Sequence, residues 1–589
     1  MNSHTTPTTT KNGTAAAAAS AAAFKSMMAK RAVAHYHNVM AAKYFAAAMT
    51  GFILLFSIVY WTRFLYARFA SKTIRESSVM RGQVASARLA RQVLNHPAYG
   101  FKSVGHLVVV LIYLGINISL IVTYVDYSTL IGIAKRCGWI AFCNIAFLVF
   151  LALKNTPLAF LTAHSYETLN PLHQVAGYTT MSTALVHLIV ECLYFQRAKK
   201  PHELLEHEQI YGMIAACSMF VIFLTTIGMK KLRYEAFYII HLTMFMLMMI
   251  TVAMHRPDLV DKEVIVILVA ASMWGSDRII RGFRILYYSR ANEATIHPLP
   301  HGGTRIVLRR SPSRAIPGTH CFLWLPTIRK FETHPFTIVS TSPNLELVIN
   351  AYDGFTSDLH TYAVKNPGKS LRASVDGPYG AIPDFASTAD KVILIAGGSG
   401  ASFTFGVALD TVKRLPEASK TTIDFIWTVR EEEAVTWFAK ELAELQRSPR
   451  VSFFLHTTRP SPSNTGSSTP TSPIPTSNLD EEKAIGFEVH TKVSPTSPST
   501  SSIEKKDTNA PLTSKYSHPW DPTLLDVAPG RPDVTGLVKD VVRRADRHER
   551  ILIGACGPDS LMWDVRRAAT NAISISGPSV ELHGEQFGW

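Results

Sequence analysis

"HQVAGYTTMSTALVH", residues 173–187, opens and closes on histidine inside a strongly apolar stretch. "HLTMFMLMMITVAMH", residues 241–255, repeats the same spacing. On a helix rising about 1.5 Å per residue, side chains fourteen apart lie roughly 21 Å apart along the axis. Fourteen steps of about 100° return to within roughly 40° of the starting direction, so both rings share one face. Two such helices, side by side and pointing the same way, bring His173 to His241 and His187 to His255 at two depths.

The surrounding chain supplies those helices. At 589 residues it is too long for one ordinary domain, and 47% hydrophobic content points to a bilayer. Seven apolar stretches approach or reach the length needed to span a hydrocarbon core of about 30 Å: 44–66, 104–126, 137–156, 172–195, 209–229, 235–255 and 262–281. The fourth and sixth run parallel, with one span between them. The loop after the first carries Arg68, Lys72, Arg75, Arg81, Arg88, Arg91 and Lys102 against the single acid Glu76, which makes it cytoplasmic. The N-terminus is then outside, and everything after 281 inside.

The net charge of +15 does not gather into a nucleic-acid stripe; several bases flank apolar runs, as on a protein beside an anionic leaflet. The six cysteines form no CxxC pair, which argues against a zinc site or a secreted disulfide framework. The N-terminus lacks the basic-then-apolar form of a signal peptide, and Asn12-Gly13-Thr14 is a glycosylation sequon.

Four domains are expected: a partly disordered tail (1–43), a transmembrane bundle (44–285), an antiparallel β-barrel (290–386) and an α/β nucleotide-binding domain (387–589). Runs such as "TRIVLRR" and "LELVINAY" between Gly and Pro turns give the barrel. From 391, strands and helices alternate in the doubly wound pattern of a parallel sheet. A Ser/Thr/Pro-rich stretch at about 460–520 interrupts it as a disordered insertion.

Two facing neutral imidazoles suit axial ligation of a haem iron, and two pairs suit two stacked haems. Gly177, beside the first ring, leaves room for a porphyrin. Intramembrane histidines can instead hydrogen-bond across helices; the registered pairing favours ligation. His202, Glu203, Glu206 and His207 read as a solvated helix face. In "HPFTIVST" (334–341) the proline interrupts a strand ladder and Thr337 offers a hydroxyl that can hold a phosphate or a flavin edge. "DGPYG" (376–380) reads as a tight turn closing the barrel. In "IAGGSGAS" (395–402), Gly397, Gly398 and Gly400 turn the chain from a buried strand into a helix whose N-terminus faces an anion, or serve the turn alone. Arg430 ends the next strand, where a cation favours a 2′-phosphate and hence NADPH over NADH, or is a plain surface arginine. "GACGPDSL" (554–561) presents Cys556 at the carboxyl edge of the sheet, as a nicotinamide neighbour or a buried structural thiol.

Together these motifs resemble the ferric-chelate reductase and NADPH oxidase superfamily, most closely the fungal-type metalloreductases, over about 100–589 apart from the insertion. The resemblance implies two b-type haems, an inner one on His173 and His241 and an outer one on His187 and His255. It implies FAD on His334, Pro335, Phe336, Thr337, Ile338 and Gly377, covered by Phe587 or Trp589 of the C-terminal "EQFGW". It implies NADPH on Gly397, Gly398, Ser399, Gly400, Ser402, Arg430, Cys556, Gly557 and Pro558. The expected activity is reduction of extracellular Fe(III) chelates, with Cu(II) as a further acceptor, by a multi-pass protein of the plasma membrane; no catalytic residue is expected beyond the cofactor chain. Equal histidine spacings, an extra first span and the lack of an EF-hand motif favour this over a superoxide-producing oxidase. A haem-free transport or proton-conducting protein is the alternative of another class.

Overall fold

A computed structural model describes residues 10–69, 77–256, 263–459 and 527–585. The expected insertion and the aromatic candidates Phe587 and Trp589 lie outside the described residues.

Among the described residues, eight helices longer than three turns precede the first strand: α1 (Thr10–Phe69), α2 (Ser78–Asn95), α3 (Val104–Val122), α4 (Leu130–Ala152), α5 (Tyr166–Arg197), α6 (His207–Gly228), α7 (Tyr234–His255) and α8 (Glu263–Tyr288). All but α2 correspond to the seven expected spans. The segment expected as a tail is helical from Thr10, as its alanine run favours. Among the described residues, five helices, α1, α3, α4, α6 and α7, are long and apolar enough to cross a membrane. The remaining two, α5 and α8, carry more polar side chains and pack against α4, the most buried helix of the bundle. There Arg136 is buried, its guanidinium donating to Asn38 Oδ1 and to the carbonyls of Leu120 and Thr123 at 2.7 Å each. A buried cation is tolerable only when its donors are satisfied in this way.

Helix α2 was not expected. Ser77 caps it, its side chain accepting from the Met80 amide. Arg88 donates to the carbonyls of Ile575 (2.9 Å) and Gly577 (2.7 Å), and Arg91 pairs with Glu581 (3.2 Å). Arg63 and Arg550 also reach Glu581, at 3.0 and 2.8 Å. Burial alone would raise the Glu581 carboxyl, but these arginines hold it down at about 2. Bases that read as charges of a cytoplasmic loop therefore tie the bundle to the nucleotide domain.

Strands β1 (Glu293–Pro298), β2 (Gly303–Leu308), β3 (His320–Trp324), β4 (His334–Ser340), β5 (Leu345–Asn350), β6 (Ser370–Arg372) and β7 (Ser374–Tyr379) form an antiparallel sheet in the order β6-β1-β2-β5-β4-β3-β7. Its open order makes a half-barrel, closed over a core that includes Ile306, Leu323, Leu347 and Phe355. "DGPYG" is strand rather than turn: Asp376 to Tyr379 lie in β7 against β3, and Gly380, with φ 103°, ends the strand.

The second sheet is parallel: β8 (Lys391–Gly397), β9 (Thr422–Val429), β10 (Val451–Thr457), β11 (Val527–Pro529), β12 (Arg550–Cys556) and β13 (Ser579–Glu585), in the order β11-β10-β9-β8-β12-β13. Helix α9 (Ala401–Arg414) packs against β4 of the half-barrel. The fit is tight at Gly406, where a methyl group would meet Gly318 N at 2.7 Å and Ile338 O at 2.9 Å. Arg305 fixes the same junction, donating to Glu441 through both nitrogens (2.8 and 2.9 Å) and to Glu346 (2.6 Å).

Candidate functional site

Alternation along the bundle puts His173 and His241 at the end facing the half-barrel and His187 and His255 at the far end. Tyr166, one helix face below His173, packs on His320, Phe322 and Tyr379 of the half-barrel. Glu235, below His241, lies 3.8 Å from Arg329. The His187 and His255 ring centroids are 6.2 Å apart at an interplanar angle of 68°. Two imidazoles bound to one metal by bonds of about 2 Å leave their ring centres roughly 6 Å apart. The spacing fits a metal between them without movement of either helix.

Second contacts orient the rings. Nδ1 of His187 lies 2.8 Å from the Ala134 carbonyl, Nδ1 of His255 2.7 Å from Glu208 O, and Nδ1 of His173 3.1 Å from Leu148 O. A carbonyl only accepts, so each Nδ1 carries the proton and each Nε2 is left with its lone pair. That is the tautomer a metal-bound histidine needs. Nδ1 of His241 is buried with no hydrogen-bond partner among the described residues. Gly177 is not forced by packing: a methyl group there would meet only Leu148, at 3.8 Å.

Between the inner histidines and the half-barrel lies a cluster that the sequence did not announce. Asp376, fully buried, accepts from Arg281 Nε (2.7 Å), from the Tyr379 hydroxyl (2.8 Å) and from Arg284 (3.4 Å). Lys154 Nζ sits 3.3 Å from the Phe322 ring centroid, and His320 Nε2 pairs with Glu167 at 2.6 Å. Its members come from two helices, two strands and the turn after α4, so no local pattern links them.

In the half-barrel, His334 to Thr337 pair with β3 alone, because β5 joins β4 only from Ile338 onward. One backbone edge of these four half-exposed residues is therefore open to a ligand. His334 stacks on Phe355 at 4.3 Å, and the Thr337 hydroxyl has no partner among the described residues. Ile338 offers a ligand nothing: its side chain is in the core, its amide donates to Thr319 and its carbonyl accepts from Gly318. Gly377 is buried too, its Cα facing Cys321, where a methyl group would come within 3.1 Å of backbone.

In the nucleotide domain the two expected motifs meet at the carboxyl ends of neighbouring parallel strands β8 and β12. A methyl group on Gly400 would lie 2.3 Å from Cys556 O, and one on Gly397 2.7 Å from Pro558 Cδ. Gly398, with φ 56°, faces open space at the N-terminus of α9. Helix start, glycine turn and free volume together suit an anion. One expectation changes. The Ser402 hydroxyl donates to Val348 O (3.1 Å) and so joins the domains rather than reaching a phosphate. Burial pushes the Cys556 thiol well above its ordinary range, so it stays protonated. Arg430 is exposed just beyond β9, with no ion-pair partner for its guanidinium among the described residues.

Three family models match this layout: "Ferric reductase like transmembrane component" over residues 137–252, "FAD-binding domain" over 289–383 and "Ferric reductase NAD binding domain" over 389–570. Part by part and in the same order, the chain is similar to ferric reductases in its transmembrane, FAD-binding and NAD-binding segments. It is a multi-pass membrane protein with FAD-binding and NAD-binding domains. The transmembrane match begins in α4, so α1 to α3 lie outside it. Relatives include the "Ferric/cupric reductase transmembrane component 1" of Candida albicans, 23% identical over 78% of this chain and 57% of its own length. The "Probable cell surface ferric reductase kap2" of Aspergillus oryzae is 26% identical over 53% and 45%. The "Ferric/cupric reductase transmembrane component 2" of Schizosaccharomyces pombe is 24% identical over 55% and 65%. The chain thus spans about half to two thirds of the length of these relatives.

Proposed function

We propose that this chain is a transmembrane ferric-chelate reductase, with Cu(II) as a second acceptor, taking electrons from NADPH in the cytosol and delivering them across the plasma membrane. The observation that carries the reading is the approach of His187 and His255 to 6.2 Å at the end of the bundle away from the half-barrel. A donor-side nucleotide fold and a histidine pair at the opposite end have one economical use, which is moving charge between them.

When bound, FAD and two b-type haems supply the one- and two-electron chemistry, and the protein supplies position and electrostatics. His173 with His241, and His187 with His255, would hold the haem irons, the carbonyl contacts on Nδ1 leaving the Nε2 lone pairs of His173, His187 and His255 free for a metal. The open edge of β4, with Thr337, would hold the flavin. Gly397, Gly398 and Gly400 would bring backbone amides to the dinucleotide pyrophosphate, and Arg430 would meet the 2′-phosphate. The bases after the first helix favour a cytoplasmic location for the nucleotide side.

Reconstitution into vesicles with an Fe(III) chelate trapped inside and the nucleotide domains outside tests the reading. External NADPH is expected to reduce the trapped iron; reduction confined to iron on the NADPH side would contradict it. Arg430→Ala is expected to raise KM for NADPH about 10- to 100-fold, the worth of a charged hydrogen bond, while KM for NADH stays within about twofold. Steady-state kinetics with both nucleotides checks this.

A further inference from the structure

Neither outer histidine rests on its own helix. His187 of α5 donates to a carbonyl of α4, and His255 of α7 to a carbonyl of α6. Each acceptor already belongs to a helical turn, so the imidazole must use the carbonyl's remaining lone pair from outside the helix. That approach is normally covered, because a helical side chain lies over the turn N-terminal to its own Cα. The side chain at i+4 thus guards the carbonyl of residue i. Four residues after Ala134 stands Gly138, and four after Glu208 stands Gly212.

The space confirms the register. A methyl group at Gly138 would lie 3.2 Å from Nδ1 of His187 and 3.3 Å from its Cε1. At Gly212 it would lie 2.7 Å from Nδ1 of His255 and 2.8 Å from its Cε1, closer than packed atoms come. Among the other bundle glycines, Gly51, Gly115 and Gly228 face open space, and the close approaches at Gly105 and Gly132 are to the backbone oxygens of Leu94 and Asp126, not to a histidine. His173 reaches Leu148 O past Ala152 in the same register, and His241 has no Nδ1 partner among the described residues.

We propose that Gly138 and Gly212 are positioning residues for the far-side histidine pair, each a bare spot through which a ligand imidazole reaches its backbone acceptor. The inference rests on the di-haem reading and extends it. Donation from Nδ1–H raises the basicity of the ligating nitrogen and fixes the ring plane. A more basic axial ligand favours the ferric state. The two glycines therefore hold the outer haem at a lower potential than its ligands alone would give, and they leave the inner haem untouched.

Redox titration and low-spin electron paramagnetic resonance of the purified full-length protein test this. Samples are wild type, Gly212→Ala, Gly138→Ala, the control Gly115→Ala, and His187→Ala to mark the inner component. Gly212→Ala is expected to move the outer component to a more positive midpoint and alter its low-spin signal, or to lose that haem alone. Gly138→Ala, with the looser contact, is expected to give a smaller change in the same direction, and Gly115→Ala none. Variants whose two components superimpose on a two-haem wild type would overturn the inference and leave the di-haem reading standing. So would an equal shift of both components, which marks general distortion of the bundle. A wild type without haem would remove the di-haem reading and this inference with it.

Discussion

His187→Ala is expected to leave one b-type haem where wild type has two, and to lower NADPH-driven Fe(III) reduction by more than about 100-fold. Loss of an outer-shell partner alone costs a metal site about 10- to 100-fold, and removal of a ligand costs more. The substitution deletes the ring facing His255 at 6.2 Å and frees the Ala134 carbonyl beside Gly138. It touches neither the half-barrel nor the nucleotide domain, so NADPH reduction of bound flavin should persist at near wild-type rate. Stopped-flow absorbance separates the two halves. Equal loss of flavin reduction and iron reduction would show that the histidine acts on the fold and not on the path.

Asp376→Leu carries the second large effect. Asp376 is fully buried in β7 and receives Arg281 and Arg284 from α8, the helix that leads directly into the half-barrel. Its loss leaves the buried Arg281 guanidinium without its carboxylate, and breaking one partner of such a pair costs about 3–5 kcal/mol. Much of that should return in Arg281→Met/Asp376→Leu, because the uncompensated charge is then gone. Thermal melts followed by flavin release are expected to show a large drop for the single variant and a smaller one for the double. A double variant no better than the single would mean that the pair aligns bundle and half-barrel through its geometry and not through charge balance.

Much of the architecture was legible because its signals are local. The fourteen-residue histidine spacing, the apolar runs and the strand-to-turn glycines each lie in one stretch, and each carries its own period. Most helix ends moved by several residues and the start of α1 by far more, and α2 was hidden because Arg88 and Arg91 read as loop charges when they belong to an amphipathic face. "DGPYG" passed for a turn because Gly-Pro is a turn signal, yet its Asp376 and Tyr379 pair with β3. What could not be read were meetings between distant segments. Gly138 lies 49 positions from His187, and Gly212 lies 43 from His255, on other helices. The same holds for Asp376 with Arg281, and for Ser402, whose hydroxyl goes to a half-barrel carbonyl. Ile338 failed as a ligand contact for a simpler reason: strand alternation turns it into the core while Thr337 faces out.

The most direct test is the dithionite-minus-oxidised absorbance spectrum of the purified wild-type protein, with haem counted per chain. Two b-type haems per chain are expected, one for each histidine pair. A well-folded protein that binds flavin and nucleotide but holds no haem would contradict the account and turn the paired histidines into a feature of packing or transport.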